Sequence, residues 1–191
     1  MSKYARAIIA GFIAAALMTF LMTFVFEGVT PYIYGVFTGM FVAYIFGNLA
    51  GNKKLPIAAA GEKEAALALK APPGKALLLV FREGFVAKLA GLNLAVDGKT
   101  FAQLTAPKFT TLVVPPGPHT LTCGFGGLAG PQSKSGTYAF DVAEGGVAVV
   151  GIGVAMGLVQ GSMTFTPIAD VDTARAKVSR MPMVKADPAE I

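Results

Sequence analysis

The chain holds one histidine, His119, and one cysteine, Cys123. Acid–base catalysis needs a group that titrates near neutral pH, and covalent catalysis needs an activated nucleophile. These two residues are therefore the first candidates for chemistry. His119 follows "PPGP" and opens an apolar run, which puts it at a hairpin mouth. With no second histidine and a single cysteine, no Cys/His metal set can form, so the ring is expected to cap a strand end. Cys123 shares a strand face with His119, but four residues of strand span roughly 13 Å, beyond hydrogen-bond reach. It is expected to be a small buried hydrophobe. Asp170 and Asp172 precede the last helical pattern, where a carboxylate caps backbone N–H groups without any metal. "GFGGLAG" (124–130) lacks the lysine of a phosphate loop, and "GIGVAMG" (151–157) lacks the following helix and acidic partner of a dinucleotide site. No catalytic, metal or cofactor-binding residue is assigned, and the chain is not expected to be an enzyme.

A second pattern concerns packing. Gly35, Gly39, Ala43, Gly47 and Gly51 recur every fourth residue in an apolar segment, and Gly11, Ala15, Thr19 and Thr23, with Ala7 before them, do the same upstream. Small residues let membrane helices approach closely where lipid removes the hydrophobic drive. A tight hairpin would set Thr23 level with Gly35 and Gly11 level with Gly47. On a straight helix a four-residue step overshoots a turn by about 40°, so the stripe winds through roughly 160°. Gly47 and Gly51 are then expected to face a helix from another chain. Thr19, Thr23, Thr38 and Asn48 are candidates for interhelical hydrogen bonds.

The elements that carry these stripes are two transmembrane helices, about 5–26 and 32–51, joined by "EGVTP". No charge falls between Arg6 and Glu27, nor between Glu27 and Lys53. The first gap alone makes a helix of about 30 Å, the thickness of a bilayer's hydrocarbon core. A cleaved signal peptide is the rival reading, but the run is longer than a signal core and a second span follows at once. Lys3, Arg6, Lys53 and Lys54 flank one end of the hairpin and only Glu27 lies in the turn. The expectation is a multi-pass protein of the bacterial inner membrane with its N-terminus and soluble domain in the cytoplasm. Neither span carries His, Asp, Glu, Lys or Arg in its interior, so neither offers a histidine ligand to haem or chlorophyll, nor an obvious proton or ion relay. Of the net charge of +5, residues 1–54 carry four basic and one acidic group, and the remainder twelve and ten. No basic patch for nucleic acid follows from that balance.

Residues 55–74 read as a linker with one or two helical turns around Glu62–Lys70. Beyond it come eight short apolar runs: 75–82, 92–96, 100–104, 109–114, 119–125, 136–142, 146–154 and 161–168. They are separated by "DGK", "PPGP", "AGPQSKSG" and "AEGG", all turn or loop chemistry. The run 146–159 is too short and too rich in glycine and alanine to be a third span, and reads as a buried strand. The domains expected are therefore a transmembrane hairpin (1–54), a linker (55–74), an antiparallel β-sandwich with one C-terminal helix (75–180) and a flexible tail (181–191).

"VDGKTFAQLTAPKFTTLVVPPGPHTLTC", followed by "GVAMGLVQGSMTFTPIADVDTARAKV", resembles PEGA-type domains and a related domain-of-unknown-function family of bacterial envelope lipoproteins. The resemblance covers about 75–180. It implies a small β-sandwich with no known catalytic residues. The chain departs from that family in having no lipobox cysteine, with a helical hairpin in place of a lipid anchor. The family's extracytoplasmic setting also runs against the charge asymmetry above.

Together these features point to a non-catalytic accessory or assembly subunit of a larger integral-membrane complex. Its hairpin would dock against other integral-membrane subunits or copies of itself within the lipid bilayer, and its sandwich would cap the complex. The alternative is a membrane-anchored envelope module that binds a polymer, peptide or small ligand. The absence of tryptophan argues against sugar stacking.

Overall fold

The computed structural model describes residues 2–126, 134–155 and 161–187. Parts of the 124–130 and 151–157 glycine runs, of the "AGPQSKSG" loop, of the 146–159 run and of the expected tail lie outside the described residues. The chain divides into two compact units, with the boundary between Asn52 and Lys53.

The first unit is a pair of helices, α1 (Lys3–Met22) and α2 (Thr30–Ala50). Ser2 caps α1 by accepting from the Ala5 N–H at 3.2 Å, and Pro31 stands in the first turn of α2, where its missing N–H would have no partner anyway. Both helices start two residues before the expected 5–26 and 32–51, and α1 stops four residues sooner, so the connection is longer than "EGVTP". Both are long and apolar enough to cross a membrane, and only 11% and 17% of their apolar windows are buried. Phe12, Phe37, Met40 and Phe41 are each well over half exposed.

The second unit contains α3 (Ala60–Leu67), eight strands and α4 (Val171–Val178). The strands are β1 (Ala76–Arg82), β2 (Leu92–Val96), β3 (Lys99–Leu104), β4 (Lys108–Val114), β5 (Gly117–Phe125), β6 (Gly136–Val142), β7 (Val147–Ala155) and β8 (Ser162–Pro167). They form two four-stranded sheets, β4-β1-β7-β8 and β3-β2-β5-β6. Strand β1, "ALLLVFR", is buried at every position. Alternate residues point to opposite faces, so a continuous apolar run requires cover on both. Leu78 and Val80 join a cluster with Leu92, Leu94, Phe101 and Leu121 of the second sheet. On the opposite face Leu79 and Phe81 pack in a separate cluster with Ala174 and Val178 of α4 and with Leu69.

Three expectations need correction. The sheets are not wholly antiparallel, because β1 and β7 pair in parallel, Leu77 against Val147 through Arg82 against Ile152. Strand β1 and residues 149–152 of β7 are buried on both faces, and each strand gains a neighbour on both edges by lying at the centre of one sheet. The segment 55–74 is not a free tether. The Ala58 N–H donates to Met183 O at 2.9 Å, and Leu69 is buried. Nor is the chain loose over residues 181–187. Met183 and Val184 are buried, and Lys185 pairs with Glu62 at 2.5 Å, which with the Ala59 N–H holds the Glu62 carboxyl below its usual range. The short run 181–184 is too brief to show a periodic pattern, yet Met183 and Val184 are enough to dock it.

Candidate functional site

Within the hairpin, the glycine stripe is occupied. A Cβ added at Gly39 would lie 2.7 Å from the Ala15 Cβ and 2.8 Å from Gly11 O, and one added at Gly11 would lie 2.7 Å from the Ala43 Cβ. One added at Gly35 would run into the Thr19 hydroxyl. The levels are thus Gly35 with Thr19, Gly39 with Ala15, and Ala43 with Gly11. This is one turn away from the expected register, because the longer connection displaces α2 along α1. The same register sets Gly47 opposite Ala7, and both are buried, so Gly47 does not face outward as expected. Helices that pack along their i, i+4 rows cross at an angle, which keeps a winding stripe in contact where a straight parallel partner would lose it. Gly51 is the C-cap of α2.

Neither the Thr23 hydroxyl nor the Asn48 amide nitrogen bridges the helices as expected. Thr23 is exposed at the end of α1 and donates to Phe20 O at 2.6 Å. The Asn48 amide donates to Tyr44 O of its own helix at 3.1 Å, while its buried Oδ1 meets no partner among the described residues. What the small residues leave open is a shallow apolar groove of about 250 Å³, floored by Gly11, Ala15, Gly39 and Ala43 and rimmed by large side chains that include Phe12 and Met40.

In the second unit, His119 lies on β5 and Asp97 in the β2–β3 turn. Asp97 and Gly98 both have positive φ, 50° and 82°, as a two-residue Asp-Gly hairpin turn requires. That turn aims the Asp97 carboxylate back at β5. Its Oδ1 accepts from the Thr120 N–H at 2.8 Å, and its Oδ2 lies 2.6 Å from His119 Nδ1. His119 Nε2 lies 2.8 Å from Pro115 O. A carbonyl only accepts, so Nε2 carries a proton; with Nδ1 facing a carboxylate, the ring suits the doubly protonated form. Burial alone would lower the His119 pKa, but the hydrogen bonds to Asp97 and Pro115, with the charges of Asp97 and Asp141, raise it overall. The same bond to His119 holds the Asp97 carboxyl below its usual range. The histidine thus pins a turn, with both nitrogens engaged, and has neither a free lone pair for a base nor a thiol beside it. Cys123 is buried, and burial pushes its thiol up to about 11. Asp170 caps α4, accepting from the Thr173 N–H at 2.8 Å, while Asp172 pairs with Arg175. Among the described residues no group of three His, Cys, Asp or Glu could hold a metal.

The His119–Asp97 pair forms one wall of an open cleft of about 650 Å³ that also meets Lys75, Lys99 and residues 111–115 along β4. The sequence reading missed Asp97, Lys75 and Lys99. The "DGK" signal that marked the turn held both Asp97 and Lys99, but a turn motif does not reveal what its carboxylate reaches. It also missed Arg82, which is fully buried with no acidic partner among the described residues. Its guanidinium donates to Ala87 O at 2.7 Å, to Leu104 O at 2.8 Å and to Ala90 O, tying down the 83–91 loop; burial lowers its pKa to about 10.

No protein-family model matches this sequence, and no curated protein matches it either.

Proposed function

We propose that the chain is a membrane-anchored accessory or assembly subunit that docks through its helical hairpin onto other integral-membrane subunits or onto copies of itself. Its soluble part is a PEGA-like β-sandwich on the cytoplasmic side. The observation that carries this reading is the apolar groove along the hairpin, flanked by Phe12 and Met40. The small residues close the hairpin and form the floor of this groove, so the docking surface is that floor together with its rim.

The test is purification of the tagged chain in mild detergent. Membrane proteins are expected to co-purify, and Phe12→Ala with Met40→Ala should release them while leaving the glycine contacts intact. A lone monomer in both cases would overturn the reading. A phosphatase reporter fused after residue 187 should be inactive, and periplasmic activity there would reverse the orientation.

A further inference from the structure

The first sheet ends on β4, and part of that edge is already used by the chain itself. In an antiparallel pair the N–H and C=O of one residue point to the same side, and successive residues alternate. Phe109 donates its N–H to Pro182 O at 3.1 Å and accepts at its C=O from the Val184 N–H at 2.8 Å. The short segment 182–184 therefore lies parallel to β4, on the side away from β1. The β1–β4 register runs without a bulge from Phe109 to Val114, so Thr111 and Val113 present their N–H and C=O groups on that same outer side. Among the described residues no backbone bond joins the added segment to Thr111 or Val113, although Ala186 still borders the same cleft. After Val184 the Lys185 N–H goes to Pro56 O and the Asp187 N–H to Phe101 O.

Residues 111–115 of this edge instead border the open cleft, and the Val113 side chain is 44% exposed. The cleft also takes in Lys75, which immediately precedes the Val114 partner Ala76, and Lys99 beside the Asp97–Gly98 turn. His119 holds that turn in place, so the wall is fixed before any ligand arrives. A sheet edge with outward backbone groups binds an extended strand, and the side chains around it set which strand. Two lysines at the Pro115 end select for carboxylates.

We propose that the Thr111–Val113 edge of β4 binds an extended, acid-ended peptide segment of a partner protein as an added strand, with its carboxylates at Lys75 and Lys99. The proposal concerns the soluble unit alone and stands or falls independently of the hairpin groove.

Fluorescence anisotropy on the whole chain in detergent micelles tests it, with a labelled peptide of alternating valine and threonine closed by two aspartates. Binding is expected with a dissociation constant below about 1 mM. Methylating alternate backbone nitrogens of the peptide should weaken it about tenfold or more, since the strand bonds are main-chain bonds. Lys75→Glu with Lys99→Glu should weaken it to a similar extent. Val113→Pro, which removes an N–H that β1 does not use, should also reduce binding. No binding at about 1 mM, equal binding of the methylated peptide, or equal binding of a lysine-ended peptide would overturn the proposal. Efficient disulfide linkage of two Val113→Cys chains that excludes the peptide would overturn it in favour of self-pairing.

Discussion

Replacing Gly39 with alanine puts the hairpin register to a quantitative test. The new Cβ would sit 2.7 Å from the Ala15 Cβ and 2.8 Å from Gly11 O. Carbon atoms in contact settle at about 3.5–4.0 Å, so α1 and α2 must part by about 1 Å at this level. Neither obstacle is a side chain with a rotamer to escape into: one is a Cβ and the other a backbone oxygen. Separation at Gly39 also loosens the levels above and below, where Gly35 meets Thr19 and Gly11 meets Ala43, and a gap of that size forfeits a quarter to a half of each contact's attraction. Overpacking of this kind costs about 1–3 kcal/mol; alanine's better helix propensity returns about 0.5–1 kcal/mol. The net expectation is a loss centred on about 1 kcal/mol, within about 0–2.5 kcal/mol. It can be measured by titrating the detergent-solubilised chain with dodecyl sulfate and following energy transfer between dyes at the open ends of the two helices. Phe37→Ala, at a position 69% exposed, is the control and should change little. A Gly39→Ala hairpin more stable than the parent would refute the register.

Other expectations concern the soluble unit. Arg82→Lys replaces a planar fork that reaches two loop carbonyls and the Leu104 carbonyl of β3 with a single ammonium, and should cost about 2–3 kcal/mol in chemical denaturation; a change under about 0.5 kcal/mol would contradict the role given to the guanidinium. His119 has a pKa raised above 6.5, so its contribution to stability is complete below that value and is lost as pH rises through the folded-state pKa. Asp97 has one lowered below 3.8, so its contribution is present above that value and is lost as pH falls through the folded-state pKa. Melting temperature should accordingly be highest between these limits, and His119→Gln should flatten the alkaline limb. Cys123 should react with a maleimide at least about 100-fold more slowly in the native chain than in denaturant, and rapid native labelling would contradict its burial.

Much of the fold was legible because turn chemistry and strand periodicity are local. "LNLAV" is β2 residue for residue, "GTYAFDV" is β6, and the Asp170 cap marks the start of α4. What was not legible depends on which distant segments meet. Nothing local says that β7 returns beside β1 in the same direction, or that Met183 docks against Phe109. The hairpin register failed for a related reason: the spacing of small residues is periodic, so a one-turn slide gives an equally good match, and only the true length of the Thr23–Val29 connection decides between them. His119 was correctly placed at a strand end, but its partner Asp97 sits 22 residues away and carried a sufficient local explanation as a turn residue. Arg82 closes an apolar run that carries no sign of its burial, which follows from the 83–91 loop folding back over it.

Docking through the hairpin groove is most directly tested by photo-crosslinking in native membranes, with a diazirine amino acid at position 12 or 40 on the groove's rim. The account predicts a discrete adduct with one integral-membrane protein or with a second copy, absent when the probe is moved to position 33 on the exposed surface of α2. Adducts with lipid alone at both rim positions would contradict it.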